Sequence, residues 1–281
     1  MGAEQSGTFE IGGDITVNRL GFGAMRITGD NIIGPPEDDE EARQVLRRAV
    51  ELGVDFIDTA DSYGPGVSER LIREELAPYD ESGVTVATKG CLMRCPDGEW
   101  VRNGNPNYLK NAILCSVDRL GVDTIDLYQL HRFDEDVPNE DSLNALAEMK
   151  DEGYIDHIGL SGVTVEELEE ARDIVDVATV QNRYNVGDRE HDEVVDYCEE
   201  NGIGFLPWFP LASGNLAAKE DALHEVAEAH DATMYQVALA WLLERSPIIL
   251  PIPGTGSVDH LEENVGAAEI ELTDEDMESL D

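Results

Sequence analysis

The chain of 281 residues carries 61 acidic against 19 basic side chains, a formal net charge of −42, with 41% hydrophobic residues. Such a chain is long and apolar enough to build a full core, which excludes general disorder, and acidic enough to repel nucleic acid and anionic lipid. No apolar run nears the roughly 18 residues of a membrane span. The start, Met1-Gly2-Ala3-Glu4, does not read as a signal peptide, so a cytoplasmic location is expected. The acids are spread along the chain, and four lysines stand beside fifteen arginines. That pattern suits a protein kept soluble in concentrated salt, like those of halophilic archaea, where screening removes self-repulsion.

In chain order, Thr8–Ile11 and Ile15–Asn18 around Gly12-Gly13-Asp14 predict a β-hairpin. Eight β-rich runs follow, at 19–23, 54–57, 84–88, 125–130, 157–160, 178–181, 204–207 and 248–251, several of them continuously apolar as strands buried on both faces should be. Helical stripes lie between them: Ala42, Val45, Leu46, Ala49 and Val50; Leu109, Ile113, Val117 and Leu120; Val165, Leu168 and Ala171; Val237, Ala238, Trp241 and Leu242. Thr164 before Glu166-Glu167, and Pro106-Asn107, mark helix starts, while Gly53, Gly121 and Gly202 mark stops. A last helix is expected at Asp274–Leu280. Strand–helix alternation without a Pro/Ser-rich linker predicts a single domain over 1–281, an α/β (β/α)8 TIM barrel whose N-terminal β-hairpin closes the bottom. An open doubly wound sheet is the alternative, but Gly21-Phe22-Gly23 is too short for the dinucleotide fingerprint.

In a barrel, chemistry gathers where strands end. Strand two ends in Asp58-Thr59-Ala60-Asp61-Ser62-Tyr63-Gly64, strand three in Thr88-Lys89-Gly90, strand four in Leu130-His131-Arg132. Singly, such an Asp caps a loop, a Tyr packs, a Lys reaches solvent and a His sits satisfied in a core. Together they form a coherent set. A phenol with its ordinary pKa near 10 is a poor acid at neutral pH, and an adjacent ammonium favours phenolate and lowers that value. A buried lysine keeps its charge only beside a carboxylate, the role open to Asp58. A neutral imidazole can donate to a substrate oxygen. Tyr63 and His131 would then polarise a carbonyl and protonate the alkoxide.

These motifs, Asp58-Thr59-Ala60 with Tyr63-Gly64, Thr88-Lys89 and Leu130-His131, resemble the catalytic tetrad of the aldo-keto reductases, and the resemblance runs from Leu20-Gly21-Phe22-Gly23 to Glu262-Glu263-Asn264. It implies hydride transfer between a nicotinamide and a small aldehyde or ketone, with the tyrosine as acid. It also implies NADP(H) rather than NAD(H) as cofactor, bound without a Rossmann domain. Gly23, Ala24 and Met25 match residues lining the nicotinamide ribose. Ser161 and Gln181 match holders of the carboxamide, with Gly162 where an Asn is usual. Trp208 resembles the aromatic that stacks on the nicotinamide, and the stretch from Phe209 and Leu211 to Gly214 resembles the pyrophosphate loop. Gly254, Thr255, His260, Glu263 and Asn264 fall in the segment that recognises the adenosine end. There Gly254 stands for a common Lys and His260 for a common Arg, leaving a thin phosphate clamp that salt should weaken further.

Two alternatives remain open at this point: a non-catalytic NADPH-binding regulatory subunit, and a Schiff-base aldolase on the same barrel. Cys91 and Cys95 lack partners for a metal set, so no metal is expected and reduced thiols are. His191, His224 and His230 read as solvated helix residues. Trp100 and the loop 26–36 are expected to wall the substrate pocket, which the short tail after Asn264 leaves open.

Overall fold

A computed structural model describes residues 2–211, 216 and 219–281. The chain opens with the expected hairpin, β1 (Thr8–Ile11) paired antiparallel with β2 (Ile15–Asn18). Its Ile11 and Val17 pack with Phe56, Ala87, Leu127, Leu206 and Leu250, so the hairpin seals one end of the barrel's interior.

Strands and helices then alternate. The first part comprises β3 (Phe22–Gly23), α1 (Asp39–Glu51), β4 (Phe56–Asp58), α2 (Val67–Leu76), α3 (Tyr79–Ser82) and β5 (Thr85–Gly90). Next come β6 (Leu92–Arg94), β7 (Trp100–Arg102), α4 (Pro106–Leu120), β8 (Ile125–Leu130), α5 (Asn139–Asp151), β9 (Ile155–Ser161) and α6 (Val165–Arg172). The last part is β10 (Val177–Arg183), α7 (Asp192–Asn201), β11 (Gly204–Trp208), α8 (Glu220–Ala229), α9 (Met234–Arg245), α10 (Val258–Gly266) and α11 (Asp274–Leu280). Seven strands form one parallel sheet in the order β11-β10-β9-β8-β5-β4-β3.

The eighth expected strand, 248–251, closes this sheet into a barrel without becoming a regular strand. On one side the Phe205 N–H donates to Ile248 O and the Leu250 N–H to Phe205 O, both at 2.8 Å. On the other, the N–H groups of Gly21 and Gly23 donate to the carbonyls of Pro251 (2.9 Å) and Pro253 (3.3 Å). Proline has no N–H to return, so the ladder along this seam stays broken. The fold is therefore the (β/α)8 barrel expected, with strand one shorter than its apolar run. The Leu20 N–H turns to Ser6 Oγ at 2.9 Å, and Arg19 reaches the carbonyls of Leu243 and Ser246, both at 2.6 Å.

The helices form as their stripes predict. Ala42, Val45, Leu46 and Ala49 are buried, and Asp38 caps α1 by accepting from the Glu41 N–H, with Asp39, Glu40 and Glu41 in the positive first turn. Thr164 and Glu167 make a reciprocal capping box on α6. On α4 the cap is Asn105, just ahead of the expected signal; Pro106 occupies the first turn, where its missing N–H costs nothing. Gly121 and Gly202 end α4 and α7 in the left-handed conformation. His191, half-buried, stands at the N-cap position of α7 without a side-chain cap bond and His224 is exposed, but His230 binds Asp276 Oδ2 at 3.0 Å instead of facing water alone. The four cysteines are free thiols. Among the described residues, no helix is long and apolar enough to cross a membrane.

Candidate active site

Parallel pairing sets the site. Asp58 ends β4 opposite Ala87 of β5, and Lys89, two residues on, lies opposite Gln129 of β8. Side chains two apart on a strand share a face, so Asp58, Lys89 and Gln129 converge inside the barrel. Tyr63 follows on the turn into α2, its carbonyl accepting from the N–H groups of Val67 (3.1 Å) and Ser68 (3.3 Å). His131 stands one residue beyond β8.

The ammonium of Lys89 donates to Asp58 Oδ2 at 2.6 Å and to the Thr59 carbonyl at 2.7 Å. It also lies beside Tyr63, 5.2 Å from the centroid of its ring. The other carboxylate oxygen of Asp58 accepts from Gln129 and Gln181, both at 2.9 Å. Two donors of the buried ammonium are thus engaged, and the carboxylate is held from two further strands. The rings of Tyr63 and His131 meet edge to face with centroids 6.2 Å apart. The four residues expected to meet do so.

Their electrostatics follow from burial. Desolvation alone would discharge Lys89, but Asp58 and Tyr63 outweigh it and hold its pKa above the ordinary lysine value. Burial pushes Tyr63 above the ordinary phenol value, and Lys89 only partly opposes that shift. This corrects the expected lowering: the phenol is buried except where it faces the cavity, so burial wins and it stays protonated. Burial, with Lys89 and Arg132 nearby, holds His131 well below the ordinary imidazole value, so it is neutral at physiological pH. Its Nδ1 is sealed in without a partner, leaving Nε2 as the nitrogen able to meet a ligand.

These groups open on a cavity of about 420 Å³ lined also by Gly23, Met25, Ser161, Gln181, Trp208, Phe209, Leu211 and Gly254. A Cβ on Gly254 would lie 2.5 Å from Gly23 O, and one on Gly23 would lie 2.6 Å from Ile252 O, so glycine is needed at both. Ala24 lies beneath, fully buried, its carbonyl accepting from Ser68 Oγ at 3.0 Å. Thr255 Oγ1 accepts from the Ser257 N–H at 3.0 Å, and His260, Glu263 and Asn264 lie on α10, away from the cavity. Gly214 lies outside the described residues.

Two expected carboxamide holders are already engaged. Gln181 gives its amide to Asp58, leaving Oε1 to accept from a ligand, and Ser161 Oγ accepts from Arg132 Nη1 at 2.6 Å. The cavity still fits a nicotinamide: an indole face, an amide oxygen, a hydroxyl and an imidazole nitrogen border one space.

The aldo/keto reductase family model matches residues 19–281. The chain belongs to the aldo/keto reductase family. An uncharacterized oxidoreductase of Schizosaccharomyces pombe is 51% identical over 99% of this chain and 90% of its own length. Pyridoxine 4-dehydrogenase of Escherichia coli is 43% identical over 98% of each chain. Among solved structures, a thermostable aldo-keto reductase, Tm1743, superposes with a TM-score of 0.86 at 32% identity, covering 97% of this chain and 98% of that one. The protein is thus an NAD(P)-dependent aldo-keto reductase, an oxidoreductase acting on small carbonyl compounds.

Sequence reasoning missed three parts of this aldo-keto reductase's site. Gln129 reads as an ordinary strand residue until its bond to Asp58 is seen. Arg132 reads as a loop charge, yet it lines the cavity beside His131. The segment after β5 was expected as a long loop; it holds the antiparallel hairpin β6–β7, whose Trp100 lines the cavity and lies under Arg94 at 4.4 Å. The Pro96-Asp97-Gly98 turn between two short apolar runs was the signal. Arg26 and Ile32 line the same cavity, as expected of the loop 26–36, beside Met25.

Proposed function

We propose that the protein reduces small aldehydes and ketones to alcohols, reversibly, with Tyr63 as the proton donor. The observation that carries this reading is the Tyr63–Lys89–Asp58 chain ending at a cavity that His131 also faces. A nicotinamide bound against Trp208, Ser161 and Gln181 would supply the hydride. His131 Nε2, neutral and otherwise unbonded, orients the carbonyl oxygen by donating to it. Tyr63, kept protonated by burial, gives its proton to that oxygen as negative charge develops, and Lys89 stabilises the phenolate left behind. Asp58 keeps Lys89 charged and fixed.

The cofactor proposed is NADP(H), held at its adenosine end by α10 with Thr255, His260, Glu263 and Asn264. Arg26, which lines both the cavity and a hollow beside Gly256, adds a cation there. The high acid content supports a salt-adapted cytoplasmic protein, and the whole chain is read as one catalytic domain.

A carbonyl panel with both reduced nicotinamides in molar KCl tests the reaction. Tyr63→Phe should lower kcat by about three orders of magnitude while cofactor quenching of tryptophan fluorescence persists. Unchanged turnover removes Tyr63 from its role, and absence of any turnover in the wild type favours the regulatory-subunit reading. The aldolase reading is opposed by Lys89, whose amine is kept protonated beside Asp58 and bonded to it and to the Thr59 carbonyl, and so is a poor nucleophile.

A further inference from the structure

Arg132 is a cation that the mechanism above does not use. Its Nη1 donates to the His131 carbonyl at 2.7 Å and to Ser161 Oγ at 2.6 Å. Among the described residues, no hydrogen bond engages Nε or Nη2 and no carboxylate pairs with the guanidinium. Eight of the fifteen arginines pair with acids: Arg43 alone engages Asp39, Glu74 and Glu75, and Arg245 engages Asp192 and Asp196. Of the seven arginines without a carboxylate among the described residues, Arg26 and Arg132 line the cavity, where an acid on a ligand could meet them. The electrostatic neighbours that act on it are Tyr63, Arg102 and Cys91, behind a desolvation that pushes its pKa down.

The surroundings are shaped to hold it there. Gly162, at φ +71°, has no side chain, and a Cβ on it would lie 3.1 Å from Cδ, Cζ and Nε of Arg132. The guanidinium thus fills the room that any other residue would take. Its Cζ also lies 5.5 Å from the Trp208 ring centroid, so the fork is braced while two of its three nitrogens stay available. Of the charged residues lining the cavity, Asp58 is neutralised by Lys89, which leaves Arg26 and Arg132. The cavity is therefore positive inside a molecule of net charge −42, and a low-dielectric cleft concentrates that field.

We propose that Arg132 is the subsite for an acidic group on the carbonyl substrate, so that carboxylate- or phosphate-bearing aldehydes are preferred over neutral ones. This rests on the reading that Tyr63 and His131 hold the reacting oxygen, since Arg132 adjoins His131 in the chain and faces the same cavity. A guanidinium with two free nitrogens can take a carboxylate or phosphate oxygen pair, which a neutral aldehyde cannot offer. Ile33, Trp100, Val101 and Phe209, four of the five large hydrophobic residues left exposed among the described residues, are the next surface such a substrate's apolar body would meet: Trp100 and Phe209 line the cavity, and Ile33 and Val101 adjoin lining residues.

The test is a ratio of kcat/KM values within matched pairs: para-carboxybenzaldehyde against its methyl ester, and glyceraldehyde phosphate against glyceraldehyde. In the wild type the acidic member should be favoured by about tenfold or more in at least one pair, and the pair identifies carboxylate or phosphate as the group recognised. Arg132→Gln should bring that ratio to about one, and Arg132→Lys should retain part of it. Because both members share a cofactor, loss of cofactor affinity cancels. A wild-type ratio at or below one in both pairs, or a ratio that Arg132→Gln leaves unchanged, overturns the proposal. If the variants do not fold, competitive inhibition of the wild type by benzoate but not benzamide decides it. Failure to reduce either member of any pair would instead count against the carbonyl-reductase reading itself.

Discussion

Lys89 and Asp58 form an ion pair at 2.6 Å in which the lysine side chain is fully buried and that of the aspartate is 4% exposed. Such a pair contributes little net stability, because desolvation offsets attraction, but breaking one side leaves an uncompensated charge. Asp58→Asn should therefore lower folding stability by about 3 kcal/mol and kcat by at least tenfold, since Lys89 then favours its neutral form. The double variant Asp58→Asn with Lys89→Met should recover most of the stability and none of the activity. Denaturant unfolding beside steady-state kinetics measures both. A double variant as unstable as the single one would mean that the pair holds the fold.

Asp61, two residues before Tyr63, is raised to about 8, first by burial and then by Glu69. A raised carboxylate binds its proton in the folded state while the unfolded chain has released it. Its contribution to stability is therefore complete below the ordinary carboxylate range and declines as pH rises to about 8. Asp61→Asn should flatten that decline, leaving the variant more resistant than the wild type to denaturant at pH 9, with the advantage shrinking toward pH 5. Parallel curves at both pH values would show that Asp61 ionises normally.

The barrel was legible because its signals are local and repeated: apolar runs for strands, stripes at helical spacing, glycines at helix ends. The tetrad was legible because strand ends of a barrel share one mouth. What was not legible depends on partners. Gln181 was expected to serve a ligand, and its engagement with Asp58 arises only when β4 and β10 face each other across the barrel. Arg132 gained its place from an absence, the missing side chain of Gly162 on another strand's loop. The eighth strand read as apolar sequence but lost its regularity to two prolines whose effect depends on which neighbours need N–H donors. The direction of the Tyr63 shift likewise turned on a depth of burial that sequence does not state.

Gly162 supplies an independent handle on Arg132. Alanine there combines a left-handed backbone with a methyl 3.1 Å from the guanidinium. Gly162→Ala should cost about 1 to 2 kcal/mol of stability and reduce the preference for acidic aldehydes several-fold without touching Arg132 itself. Unfolding midpoints and the paired kcat/KM ratios measure the two effects. Retention of the full preference would show that the guanidinium reaches its position without the room Gly162 leaves.

The acids around the start of α10 bear on the salt response of the phosphate clamp. A thin cationic clamp for a phosphate should weaken as salt rises, yet the hollow at Ser257 and Val258 is lined by Asp38, Glu40, Glu41 and Asp259. A phosphate dianion placed there would meet repulsion from those acids as well as attraction from the helix terminus and Arg26, and repulsion is expected to dominate. The screening length falls from about 10 Å at 0.1 M salt to about 3 Å at 1 M, so added KCl relieves repulsion across the hollow while close hydrogen bonds survive. Affinity for NADPH should therefore rise several-fold between these concentrations, with NADH, which lacks the extra phosphate, responding less. Glu41→Gln with Asp259→Asn should raise NADPH affinity at low salt by about threefold to tenfold and flatten the salt response. Titration of tryptophan fluorescence with each nucleotide reads these values directly, and an NADPH affinity that falls with salt in the wild type would return the balance to the cationic clamp.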